Sequence, residues 1–114
     1  MSRKEIMNKV GFVVFGKDAE KVWLKQTDDG KWCLFFDAHG LTVPEAKKIL
    51  KNIIAILPIS ITLVFIHGYH SGTALKSMVR SENFGYRLQG ISTPWYNPGE
   101  SHLQIAAMRG YVAG

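Results

Sequence analysis

An apolar run, a helical face and a second apolar run follow one another between residues 32 and 66, and each apolar run closes on His-Gly, at His39-Gly40 and His67-Gly68. No other feature constrains the fold as much. KWCLFFD (31–37) and SITLVFI (60–66) have the aromatic and β-branched content of strands, the second of a strand covered on both faces. Between them Ala46, Ile49, Leu50, Ile53, Ile54 and Leu57 recur at helical spacing, which predicts a helix over about 43–57. Thr42 with Glu45 three positions later forms a capping box, and Pro44 falls in the first turn, where its missing N–H costs nothing. Pro58 prevents continuation. Strand, crossover helix and parallel strand make a βαβ unit whose two strand ends open on one edge of the sheet. His39 and His67 are therefore expected to share one crevice.

The flanks add elements to this unit. Residues 1–9 (MSRKEIMNK) are polar and basic and read as a frayed, solvated leader. GFVVF from Gly11, VWLKQ and KWCLFFD read as three short strands, with Asp28-Asp29-Gly30 as a hairpin turn between the last two. GTALKSMVRS (72–81) carries Ala74, Leu75, Met78 and Val79 at helical spacing and predicts a second helix. YRLQGI and HLQIAAM, separated by Pro94-Trp95-Tyr96-Asn97-Pro98-Gly99, predict two further strands. The fold class that results is α/β: a two-layer α/β sandwich with a βαβαββ-type mixed sheet and an extra N-terminal β-hairpin. Residues 1–33 form an N-terminal extension packed on a domain of residues 34–114.

Composition bounds the partners. The 114 residues, 46% hydrophobic and 20% charged, suit one globular domain. Fourteen Lys and Arg against nine Asp and Glu give a net charge of +5, which favours a polyanion. The single Cys33 excludes an internal disulfide, and no run resembles a signal peptide or an 18-residue apolar span. A cytoplasmic protein with no membrane partner is the expectation.

The strand ends hold the candidate chemistry. Alternation places Asp37 and His39 on one side of their strand, where a carboxylate can orient the imidazole and hold the tautomer that proton transfer needs. The commoner use of such a pair is structural, a strand-end Asp and His that cap the helix of Thr42 and bond to loop amides. Gly68 and Gly72 flank Tyr69, His70 and Ser71 directly before a helix, a loop whose amides can converge on an anion or simply turn the chain. It is neither a Walker loop nor a dinucleotide fingerprint. His67 and His70 are spaced H-x-x-H, but a chain with one cysteine and no second cluster is a poor structural zinc site. A divalent metal (Mg or Mn) held through Asp37 stays open. His102 reads as an exposed or satisfied histidine. Trp95 and Tyr96 either stack on bases or, more commonly beside a Pro-Gly turn, cover the sheet end. Lys47, Lys48 and Lys51 on one helix, with Lys76, Arg80 and Arg87 further on, can touch backbone phosphates or stay solvated.

FDAHGLT (36–42) and IHGYHSG (66–72) resemble the two motifs of the Smr (small MutS-related) domain, L-D-x-H-G before one helix and H-G-x-G-x-G or a similar run before the next. The resemblance spans roughly residues 34–108 and includes the helix between the motifs and the Asn97-Pro98-Gly99 turn. Phe36 stands where the family has Leu, and His70 where the second motif has its middle glycine. The resemblance implies an α/β sandwich with nuclease activity, nicking DNA in some members and cleaving RNA, including messenger RNA on stalled or collided ribosomes, in others. It assigns Asp37 and His39 to the first motif and His67, Gly68 and Gly72 to the second.

The expected reaction is phosphodiester cleavage. His39, oriented by Asp37, activates water or an RNA 2′-hydroxyl, and His67 or His70 protonates the leaving oxygen. Gly40, Gly68, Ser71, Gly72, Thr73 and Lys76 line the phosphate. A module that holds nucleic acid or a ribosomal surface without cutting it is the competing reading. An enzyme acting on a small phosphometabolite is a third.

Overall fold

The computed structural model describes residues 1–68 and 73–112. Five strands, β1 (Val22–Gln26), β2 (Trp32–Asp37), β3 (Ile61–Ile66), β4 (Leu88–Ser92) and β5 (Glu100–Ile105), form one mixed sheet in the order β1-β2-β3-β5-β4. β2 and β3 run parallel, as a βαβ unit requires, and every other neighbouring pair is antiparallel. Three helices, α1 (Arg3–Gly11), α2 (Val43–Ile56) and α3 (Thr73–Ser81), complete a two-layer α/β sandwich. Among the described residues no helix is long and apolar enough to cross a membrane.

Alternation decides which residues join the core. Leu34, Phe36 and Ala38, then Leu63 and Phe65, then Leu103 and Ile105, are buried in one cluster with Ala46, Leu50 and Ile53 of α2 and Leu75, Met78 and Val79 of α3. The intervening positions Trp23, Phe35, Val64 and His102 lie side by side across four strands on the other face. Trp23 and Phe35 stack there with ring centroids 5.5 Å apart. The capping box at the start of α2 forms as its sequence predicts: Thr42 Oγ1 accepts from the Glu45 N–H at 3.3 Å, and Glu45 accepts from the Thr42 N–H at 3.0 Å.

Two expectations at the N-terminus are corrected. Residues 3–11 are helical rather than frayed, because Ser2 and Glu5 make a second capping box and Ile6 and Val10, one turn apart, insert into the core. GFVVF is not a strand. Gly11 ends α1, Val13 and Val14 bond back to the Val10 carbonyl at 3.0 and 2.9 Å, and Phe12 and Phe15 face solvent. The chain then makes a 3-10 helix over Gly16–Lys21 before β1. All of β1 pairs with residues 32–36 of β2, so the strand carrying the first motif is the second arm of the hairpin, and residue 33 lies inside it.

Candidate active site

The two His-Gly dipeptides end neighbouring strands, one residue out of phase. The β2–β3 register pairs Asp37 with Ile66, and the Ala38 N–H donates to the Ile66 carbonyl at 2.8 Å. Continued past the strand ends, this register sets Ala38 beside His67 and His39 beside Gly68. A methyl group on Gly68 would sit 3.5 Å from the His39 Cβ. The backbones of the two motifs thus meet as expected, but alternation sends the two imidazoles to different surroundings. Each dipeptide needs its glycine, since Gly40 and Gly68 turn the chain off the sheet at φ +84° and +86°.

His39 projects to solvent with 70% of its side chain exposed. Its Nδ1 bonds to Asp37 Oδ1, which also accepts the His39 backbone N–H at 3.3 Å. A carboxylate only accepts, so Nδ1 carries a proton, and in the neutral ring Nε2 is the nitrogen with the lone pair. Nε2 has no hydrogen-bond partner among the described residues. A carboxylate–imidazole pair of this kind is able to accept a proton at Nε2.

His67 is 2% exposed and is held at both ring nitrogens. Nδ1 donates to the Gly68 carbonyl at 3.2 Å, which leaves Nε2 to accept from the Ser101 hydroxyl, also at 3.2 Å. Burial pushes the pKa of His67 down, and the nearby cations Lys76 and Arg80 lower it further. Both effects favour the neutral ring, and the expectation that His67 shares an open crevice with His39 is corrected: its ring is buried between the Ser101 hydroxyl and the Gly68 carbonyl.

The rest of the corner is assembled from β5, α3 and the turn before β5. The Gly99 carbonyl accepts the N–H groups of both His67 and Gly68, at 2.9 and 3.0 Å. Asn97 fixes that turn, its Oδ1 accepting from Gly99 N–H and its Nδ2 donating to Glu100, both at 3.0 Å. Arg80 of α3 donates to Thr93 Oγ1 and reaches Ser101 Oγ at 3.5 Å. Thr73 opens α3, and Lys76 lies one turn before Arg80 on the same helix. His70, Ser71 and Gly72 lie outside the described residues. Sequence reasoning missed Thr93 and Ser101. Ser101 had a signal, a serine at the core-facing phase of a strand that otherwise carries Leu103 and Ile105 there.

Several candidate contacts have other uses. Arg87 is buried, and its guanidinium donates to the carbonyls of Ile54, Leu57, Ile59 and Ala106, so it closes the end of α2 rather than meeting phosphate. Lys47 and Lys51 pair with Glu82 at 3.5 and 2.9 Å, tying α2 to α3. His102 bonds through Nε2 to Glu100 at 2.8 Å and is the satisfied histidine its position suggested. Trp95 and Tyr96 are exposed rather than packed over the sheet end, contrary to the commoner expectation for such a turn. Among the described residues no three His, Cys, Asp or Glu side chains are grouped as metal ligands, and Asp37 Oδ1 is engaged by His39.

A shallow, mostly apolar recess of about 680 Å³ lies between Ile54, Phe84, Tyr86 and Met108, lined by none of the His-Gly residues. The His-Gly corner itself is open at His39. No protein-family model, curated protein or solved structure matches the chain.

Proposed function

We propose that this chain is a nucleic-acid endonuclease of Smr type, cleaving phosphodiester bonds at the corner where β2 and β3 end. The observation that carries the reading is the state of His39: exposed, its Nδ1 held by Asp37, its Nε2 without a partner among the described residues, beside the backbone of the second motif. Nε2 takes the proton from the attacking oxygen, which is water or a ribose 2′-hydroxyl. The new P–O bond forms as the bond to the leaving oxygen breaks, and Asp37 stabilises the imidazolium that results. His67, neutral and engaged at both nitrogens, positions Gly68 and Ser101 instead of donating a proton, so the acid role passes to His70. The +5 charge and the cations Lys76 and Arg80 favour a polyanionic substrate. An open corner suits a polymer laid across the surface better than a small phosphometabolite, which needs a concave site.

Product-end analysis tests this. Single-stranded RNA and supercoiled plasmid are incubated with the protein, with and without chelator. RNA ending in a cyclic phosphate despite chelator is the result predicted for histidine acid–base chemistry. A chelator-sensitive 5′-phosphate would replace this mechanism with metal-assisted hydrolysis. A gel shift that weakens with salt and leaves no new ends would reduce the chain to a binding module.

A further inference from the structure

Two aromatic rings stand beside this corner with little packed on them. Trp95 is 93% exposed and Tyr96 63%, in a protein that buries Phe36 and Phe65 completely. Their rings meet edge to face, with centroids 5.8 Å apart and planes at 88°. An indole left in water gives up the free energy its burial would return, so Trp95 contributes little to the fold. Its position is nonetheless tightly held. Thr93, two residues before it, is bonded to Arg80. The Asn97 N–H donates to the Pro94 carbonyl at 3.2 Å, folding the turn between them. Gly99, four residues after Trp95, carries the carbonyl that accepts from His67 and Gly68. Four residues span no more than about 14 Å even when extended, and the turn shortens that reach.

We propose that Trp95, flanked by Tyr96, is a stacking platform for an unpaired base next to the phosphate held at His39, which makes single-stranded nucleic acid the substrate. The inference rests on the nuclease reading and adds the substrate's form to it. Bases within a duplex have their faces covered by neighbours, whereas a base in a single strand can turn onto an exposed indole. The flanking residues favour this occupant over a protein or a lipid surface. Ser92, Thr93 and Asn97, which flank the two rings in sequence, are polar, and Arg80, bonded to Thr93, adds positive charge.

The test uses the full chain and its variants Trp95→Ala, Trp95→Phe and Tyr96→Ala, with thermal unfolding as the folding control. The probes are an unstructured oligoribonucleotide, its blunt duplex, and the same strand carrying abasic sites. Stacking predicts quenching of Trp95 fluorescence by the single strand and about tenfold or greater loss of affinity in Trp95→Ala. Trp95→Phe retains most of that affinity, Tyr96→Ala loses less than Trp95→Ala, and abasic strands bind the unaltered chain as weakly as the intact strand binds Trp95→Ala. Duplex binds weakly to all four proteins. Unchanged single-strand affinity in Trp95→Ala, with cleavage still abolished by Asp37→Ala, overturns the platform and leaves the nuclease standing. Fluorescence that responds to anionic phospholipid vesicles but to no oligonucleotide also overturns it. A chain that neither binds nor cuts any of the probes removes both proposals.

Discussion

His39 and His67 sit in the same dipeptide, at the ends of adjacent parallel strands, before glycines of nearly the same φ, and their fates are opposite. One imidazole is presented to solvent with a carboxylate behind it; the other is buried between a serine hydroxyl and a backbone carbonyl. The difference is a phase of one residue. Core-facing positions run 34, 36, 38 in β2 and its extension but 61, 63, 65, 67 in β3, so the first motif's His points away from the core and the second's into it. A short motif thus does not fix a residue's role; the face of the sheet on which it falls does. In the proposed reaction the exposed imidazole does the chemistry, and the buried one supports the strand end beside it.

The sharpest way to break this comparison is at the carboxylate behind His39. Asp37→Asn removes the charge that stabilises the imidazolium while keeping the shape, and cleavage should fall about 100-fold with stability unchanged within about 0.5 kcal/mol. His67→Ala should act in the opposite way. It strips the buried Ser101 hydroxyl and the Gly68 carbonyl of a partner and opens a cavity, and denaturant unfolding should show a loss of about 2–3 kcal/mol. A His67→Ala variant as stable as the parent would show that the ring is not built into the core.

Smaller effects refine the contrast. Gly40→Ala and Gly68→Ala should each cost about 1 kcal/mol, since both glycines have positive φ and neither site is blocked by backbone. They should differ in activity, because the methyl group on Gly68 would touch His39 and the one on Gly40 meets open space. The smallest expected effect is a pH slope. His67 has a folded-state pKa below its unfolded value, so below about pH 6.5 the unfolded chain binds the extra proton and the fold does not. The stability that neutral His67 contributes is complete above that pH and is lost as pH falls through the window beneath it. His67→Gln should flatten this part of the stability profile, and an unaltered slope would assign it to other groups.

Much of this architecture can be read from local pattern. The run from Thr42 to Leu57 declares its cap, its apolar face and its end, and the strands before and after it show their alternation directly. α1 is harder to see because two apolar residues, Ile6 and Val10, carry it among charges. GFVVF misleads for the converse reason: its β-branched residues feed the core from a turn, without strand partners. Arg87 could not be read at all, since its partners are main-chain carbonyls 19 to 33 residues away that share no side-chain signal. The site was half legible. Asp37 and His39 were placed on one face by counting, and the same counting carried through 61, 63 and 65 would have put His67 on the other. Counting also puts Ser101 on the core face, but not its partner: that it meets His67, 34 residues away, is set by the pairing of β3 with β5.

On the proposed function, the exposed member of the pair carries the chemistry and contributes little to the fold. This is tested most directly by measuring the single-strand cleavage rate and the unfolding midpoint of His39→Ala side by side with the parent protein. The account predicts a rate lower by a factor of about 100 or more at an unchanged midpoint. Undiminished cleavage by a folded His39→Ala protein would contradict it.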